Sequence, residues 1–250
     1  LLDPEKMCGT VLMLPVANPF SYEAQTRHTP TDGLNLNRIF PGSPDGMITE
    51  QIANAIATQF LPQIEYLIDL HGGGVFPTVD YVYLSNINPE MSRAFGSKLL
   101  YLSAKHAGTV SSLAEERGIP AMVAELGGGL LLDDKYIARG TEGVMNVLKY
   151  LGIIEGTPVV PEKQVIVKTM GTVRPKNGGS LYPEVKLDAL GTIIPGGTVL
   201  ARVISPYTFK ELEVLRAPFE RNYVILARGA IVRCNPGDFG YMMADASDAE

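Results

Sequence analysis

Few residues in this chain are equipped for chemistry, and His71 is the most informative of its three histidines. It lies in Ile68-Asp69-Leu70-His71-Gly72-Gly73, directly after a short apolar run. Such a run reads as a buried strand, and open α/β sheets bind ligands at the carboxyl ends of their strands. The glycines that follow allow backbone, metal or substrate to come close. Asp69, two residues earlier, shares the strand face of His71 and could orient its imidazole. These are the features of a metal ligand. A core histidine packed at a glycine-rich turn is the alternative, because zinc takes three protein ligands and this is one.

Glu125 is the second candidate. Ala124-Glu125-Leu126-Gly127-Gly128 puts a carboxylate near the end of another short apolar strand. A charge there is costly unless it is paired or catalytic. It reads as a working carboxylate, or as a Glu at the strand mouth that caps a helix or binds a structural Arg. The third signal is Asp32-Gly33-Leu34-Asn35-Leu36-Asn37-Arg38-Ile39-Phe40-Pro41-Gly42. Asn37 and Arg38 offer amide and guanidinium donors, and an Arg fork matches a carboxylate with two hydrogen bonds. Arg27, upstream, could do the same or polarise a carbonyl. The plainer reading is a loop held by its asparagines with a surface arginine. His28 and His106 have polar neighbours. No Gly-x-Ser-x-Gly elbow, phosphate loop or dinucleotide glycine pattern occurs.

These residues need a frame. Tyr66–Leu70 and Ala121–Leu126 are short strand patterns, and Gly9–Pro15 is a third. Ile48–Leu61 carries Ile48, Ile52, Ile56 and Phe60 on one helical face. Asn88-Pro89-Glu90 is a helix start, followed by Met91, Phe95 and Leu99. Asp133–Leu151 is a helix with Ile137, Val144, Val147, Leu148 and Leu151 inward, stopped by Gly152. Strands alternating with helices predict an α/β fold with a mostly parallel or mixed sheet and flanking helices, over residues 1–155. Residues 156–163, with Pro158 and Pro161, read as a linker. Over 164–250 the helical period disappears. Short runs at Val165–Val167, Gly191–Ile194, Val199–Ile204, Tyr223–Leu226 and Tyr241–Ala244 predict a small all-β sandwich. Its Pro195-Gly196 and Pro236-Gly237 turns give it the shape of a lipoyl or biotinyl domain, but Glu213-Val-Leu-Arg216 supplies no carrier lysine.

Composition sets the outer bounds. The chain has 250 residues, 46% of them apolar, enough for an ordinary globular core. Against 21 Lys and Arg stand 27 Asp and Glu, a net charge of −6 with no basic patch. That argues against nucleic-acid and anionic-membrane partners. The longest apolar runs fall far short of the roughly 20 residues of a membrane span. The two cysteines, Cys8 and Cys234, read as reduced thiols of a cytoplasmic protein, with Cys8 inertly packed in a strand.

Asp-Gly-x-Asn-Leu-Asn-Arg-x-Phe-Pro-Gly (32–42), Asp-Leu-His-Gly-Gly (69–73) and Glu-Leu-Gly-Gly (125–128), in that order, resemble the succinylglutamate desuccinylase/aspartoacylase family of zinc-dependent amidohydrolases. Leu14-Pro-Val-Ala-Asn-Pro19 fits the segment before the Asn-Arg motif. The resemblance implies a carboxypeptidase-like fold and hydrolysis of a small N-acyl amino acid, with homo-oligomerisation left open. It further implies His71 as a zinc ligand and Glu125 as the base that activates water. Asn37 and Arg38 would hold the substrate carboxylate, and Arg27 would stabilise the scissile carbonyl. The family's His-x-x-Glu, which supplies the other two zinc ligands, does not occur. The resemblance places it before residue 1, and the chain is then expected to be part of a longer protein. A metal-free binding or regulatory relative, or a metallocarboxypeptidase acting on peptides, are the alternatives.

Overall fold

The computed structural model describes residues 2–102, 106–128 and 134–247. Among these residues five α-helices and thirteen strands follow in chain order. The helices are α1 (Pro19–Ala24), α2 (Ile48–Ala55), α3 (Pro89–Ala94), α4 (Val110–Glu116) and α5 (Asp134–Tyr150). The first five strands are β1 (Leu67–His71), β2 (Tyr81–Tyr83), β3 (Leu99–Tyr101), β4 (Ala121–Glu125) and β5 (Val165–Val167). They form one mixed sheet in the order β1-β4-β2-β3-β5, in which only the β2/β4 pair is antiparallel.

The two faces of this sheet have different fates. On one face Val82, Leu100, Met122 and Ala124 pack against Met91 and Phe95 of the α3 region and Val147 of α5. The opposite face carries, in register, the row His71–Glu125–Tyr81–Leu99–Val165 and the row beside it, Asp69–Val123–Tyr83–Tyr101–Val167. Period-2 alternation puts both rows on the same side. At the β1 end of that side, Leu67 and Ala121 pack on Ala114 of α4 and on Leu61.

The remaining strands are β6 (Met170–Val173), β7 (Gly179–Pro183), β8 (Ile193–Pro195), β9 (Val199–Ile204), β10 (Glu211–Arg216), β11 (Arg221–Leu226), β12 (Val232–Cys234) and β13 (Tyr241–Asp245). They make two antiparallel sheets, β6-β13-β11-β8 and β10-β9-β7-β12. Leu181, Leu200, Val203, Leu215, Val224 and Met243 fill the space between them. Within the first of these sheets, β11 is buried on both sides. Val224 faces into the sandwich, while Tyr223, Ile225, Ala244 and Ala246 pack on Tyr81, Leu99 and Val167 of the first sheet. Burial on both faces explains why Tyr223–Leu226 is continuously apolar instead of alternating.

Several expectations need correction. Gly9–Pro15 forms no strand, and Leu12, Met13 and Leu14 are exposed; the run finds no sheet edge to pair with among the described residues. Cys8 is exposed rather than packed, and Cys234 is buried. α2 runs on through a π-helical turn, Ile56–Phe60, and its fully buried line is Ala53, Ala57 and Leu61. Leu99 belongs to β3, because the helix from Pro89 ends at Ala94 and Gly96 reverses the chain with φ +86°. Ile137 is exposed on α5, and the expected start of that helix at Asp133 lies outside the described residues. Glu213–Arg216 lies inside β10, not at a hairpin tip. β5 follows the 156–163 segment yet extends the first sheet by pairing with β3.

Candidate functional site

The site grows from two parallel strands that end together. β1 closes on His71 and β4 on Glu125, and the two residues are register partners. Their side chains share a face, with His71 Nδ1 3.5 Å from Glu125 Oε1. The Leu126 N–H donates to the His71 carbonyl at 2.8 Å and so continues the pairing beyond Glu125. Asp69, one alternation back on β1, meets the other ring nitrogen, with Oδ2 2.9 Å from Nε2. Burial by itself would lower the pKa of this imidazole. The hydrogen bonds and charges of Asp69 and Glu125 outweigh burial and hold the pKa up at about 10. His71 is thus fixed between two carboxylates, and Asp69 orients it.

The loop from Asp32 to Gly42 forms the opposite wall. Its shape comes from its own polar side chains. Leu34 N–H donates to Asp32 at 3.0 Å, and Thr49, in the first turn of α2, donates to Asp32 through N–H and hydroxyl at 2.9 and 2.8 Å. Burial pushes the Asp32 carboxyl up, and these donors more than reverse that, leaving it below its ordinary pKa. Asn35 accepts from Asn37 N–H at 3.0 Å and caps the 3-10 turn Leu36–Arg38. Leu36 and Phe40 anchor the loop against Ala53 and Ala57.

Asn37 is more committed than the sequence suggests. Its Oδ1 accepts from Val110 N–H, at the start of α4, at 2.9 Å, and its Nδ2 lies 3.4 Å from His71 Nε2. The amide therefore ties the loop, α4 and the imidazole together. The Arg38 guanidinium donates to the Asn37 carbonyl at 2.6 Å and is otherwise exposed. Gly108 is needed opposite, since a Cβ there would lie 2.2 Å from the Arg38 carbonyl oxygen.

One cavity of about 310 Å³ is lined by Arg27, Asn37, Arg38, His71 and Glu125 together. Segments far apart in sequence thus meet at a single concave surface. The same cavity is lined by residues that sequence reasoning passed over. Tyr83 stands on the site face of β2, its ring 6.3 Å from that of His106 and nearly perpendicular to it. Burial, and then the charge of Glu125, raise the pKa of the neighbouring Tyr81 phenol. Glu115 of α4 is buried in the wall, where it accepts from Ser85 Oγ, Asn86 N–H and Asn86 Nδ2 at 2.7, 2.8 and 2.7 Å. The alternation Tyr81-Val82-Tyr83 was a usable signal for Tyr83. Glu115, in Leu-Ala-Glu-Glu-Arg, reads like any solvated helix charge and gave none.

A model of the succinylglutamate desuccinylase/aspartoacylase catalytic domain matches residues 1–151. The chain belongs to this family. It is similar to the N-alpha-acetyl-L-2,4-diaminobutyric acid deacetylase of Halomonas elongata, 29% identical over 263 residues, covering 99% of this chain and 76% of that one. The crystal structure of a succinylglutamate desuccinylase/aspartoacylase from Rhodobacter sphaeroides superposes with a TM-score of 0.85 at 25% identity, covering 98% of this chain and 78% of that one. The product-bound ectoine utilization protein EutE (DoeB) of Ruegeria pomeroyi gives a TM-score of 0.85 at 26% identity, covering 96% and 76%. The fold expected from the sequence, a mixed sheet with helices followed by antiparallel β-sheets, is the fold of these proteins. Among the described residues no helix is long and apolar enough to cross a membrane.

The donor set accommodates zinc only in part. Asp69 holds Nε2 of His71, which leaves Nδ1, beside Glu125, as the nitrogen a metal would take. Among the described residues no three His, Cys, Asp or Glu side chains stand together as a metal-holding group.

Proposed function

We propose that this chain hydrolyses the amide bond of a small N-acyl amino acid, and that His71 is one ligand of a zinc used in the reaction. The observation that carries the reading is the cavity that Arg27, Asn37, Arg38, His71 and Glu125 share. Its volume of about 310 Å³ is at the small end for ligand sites, which favours an amino-acid derivative over a peptide.

The chain's own residues divide the work. Arg38 takes the substrate carboxylate in a two-pronged hydrogen bond, next to the Asn37 amide. That contact holds the acyl carbonyl near the ends of β1 and β4. Glu125 removes a proton from the attacking water and delivers it to the leaving nitrogen, so the amine departs neutral. Arg27 stabilises the negative charge that develops on the carbonyl oxygen, an effect worth about 10²–10³ in rate for one donor. Asp69 fixes the ring of His71, as carboxylates do for metal-binding histidines. Zinc, when bound, supplies an acidified water and polarises the carbonyl.

The relatives suggest where to begin, since the Halomonas protein is named for N-acetyl-diaminobutyric acid and the Ruegeria protein for ectoine utilization. The purified chain, supplied with zinc, is assayed for amine release from N-acetyl-L-2,4-diaminobutyrate, N-acetyl-L-aspartate and N-succinyl-L-glutamate. The expected result is turnover of one of these and poor turnover of its carboxamide analogue. Cleavage confined to peptides would point to a peptidase. Tight binding without cleavage would point to a binding protein.

A further inference from the structure

The loop that leaves His71 does not end in solvent. Residues 72–78 double back, and their hydrogen bonds converge on the segment that follows Glu125. Gly73 N–H donates to the Gly127 carbonyl at 2.6 Å, and the Thr78 hydroxyl donates to the same oxygen at 3.0 Å. The approach is so close that a Cβ on Gly73 would stand 2.7 Å from that oxygen. The backbone after His71 and the backbone after Glu125 are therefore latched to each other.

The outer side of the loop is held by the C-terminal β-sheets. Thr78 bridges to Leu226, and Val79 N–H donates to the Ile225 carbonyl at 3.0 Å. At the crown, the guanidinium carbon of Arg228 lies 4.1 Å from the centre of the Phe76 ring. Phe76 also packs on Phe239, with ring centroids 5.9 Å apart, and Arg174 covers Phe239 at 4.1 Å. Arg228 is itself oriented by a hydrogen bond from Nη2 to the Phe239 carbonyl. Its Nε is buried with no hydrogen-bond partner among the described residues. The guanidinium is thus committed to the ring face, where a cation is attracted by the aromatic quadrupole. Neither Arg228 nor Phe76 lines the cavity.

We propose that Arg228 and Phe76 are positioning residues through which the C-terminal sheets set the separation of His71 and Glu125. Phe76 fixes the loop crown, the crown fixes Gly73 and Thr78, and these fix Gly127. Loosening the clamp lets the two strand ends drift, while Arg38, on a different loop, keeps its hold on the substrate. The kinetic consequence rests on the deacylase reading; the structural one does not.

The test uses the full chain carrying Phe76→Leu, Arg228→Gln or the conservative Phe76→Tyr. Amide hydrogen exchange reads the latch directly. Expected are at least about tenfold faster exchange at Gly73 in the first two variants and unchanged protection in the β11/β13 pair. Phe76→Tyr keeps the ring and stays at the wild-type rate. In steady-state assays kcat falls by about tenfold with KM within about twofold, since misplacing reacting groups by 1 Å costs about 10²-fold. Three results would overturn the proposal: unchanged exchange at Gly73, an equal rise of exchange along the whole chain, or a loosened loop with normal kcat. A protein that cleaves no N-acyl amino acid would sink the deacylase reading, and the exchange rates alone would then decide the positioning role.

Discussion

Cutting the chain after Pro161 removes β5 and the sandwich, and the remaining α/β part is expected not to fold. The reason lies on the site face of the first sheet. Tyr81 is 4% exposed and Leu99 fully buried, and both are packed in a cluster with Val167, Tyr223, Ile225, Ala244 and Ala246. Val79, Tyr83 and Tyr101 are half-covered by the same cluster. Fully burying such a side chain contributes about 1.5–3 kcal/mol, so uncovering this patch costs about 5–10 kcal/mol. That is comparable to the whole stability of an ordinary domain, about 5–15 kcal/mol. β3 would lose its ladder with β5 as well and become a bare edge. The assay is expression of residues 1–161 beside the full chain, followed by size exclusion, far-UV circular dichroism and a thermal melt. The full chain should melt cooperatively, and the fragment should be aggregated or lack a transition. A soluble monomeric fragment with a sharp melt would show that the two parts are independent and that the shared cluster contributes little.

Glu125→Gln keeps shape and removes basicity, so kcat should drop by at least about 10²-fold with an unchanged melting temperature, as measured by amine release and calorimetry. Arg38→Lys keeps the charge and loses the fork, so KM for an N-acyl amino acid should rise about tenfold, while its carboxamide analogue is little affected. An equal effect on both substrates would make Arg38 a loop-holding residue. Asp32, whose pKa in the folded chain lies below its ordinary 3.8, favours folding above that value and loses the contribution as pH falls through the folded pKa. Acid denaturation followed by tyrosine fluorescence should therefore be less steep below about pH 4 in Asp32→Asn than in the wild type.

What could be read without tertiary structure was local. An apolar run stopped by glycines marks β1 and β4, because a buried strand needs apolar side chains and its exit needs room. Asn88-Pro89 starts α3, with the Asn88 side chain accepting from Met91 N–H at 3.1 Å, and Gly152, at φ +72°, ends α5. These devices act within a few residues, so composition and spacing suffice. His71, Glu125, Asn37, Arg38 and Arg27 could be singled out because each is a costly or versatile side chain at a strand end or in a loop.

Pairing could not be read in this way. Tyr81–Tyr83 and Leu99–Tyr101 are three residues each, and nothing in them says that β2 runs antiparallel to β4 while β3 runs parallel to β2. Gly9–Pro15 has strand composition and no partner, and Val165–Val167 joins a sheet whose other members end about 40 residues earlier. A strand is completed by its neighbour's hydrogen bonds, which are set by distant register and not by the strand's own residues. The same holds for the site. The sequence by itself determined which side chains have the chemistry. Tertiary packing alone decided that β1 and β4 end level, that the Asn37 amide is spent on His71 and Val110, and that Glu115 turns inward. Each of these is a contact between segments tens of residues apart, made only when the sheet, the loop and α4 have closed on one another.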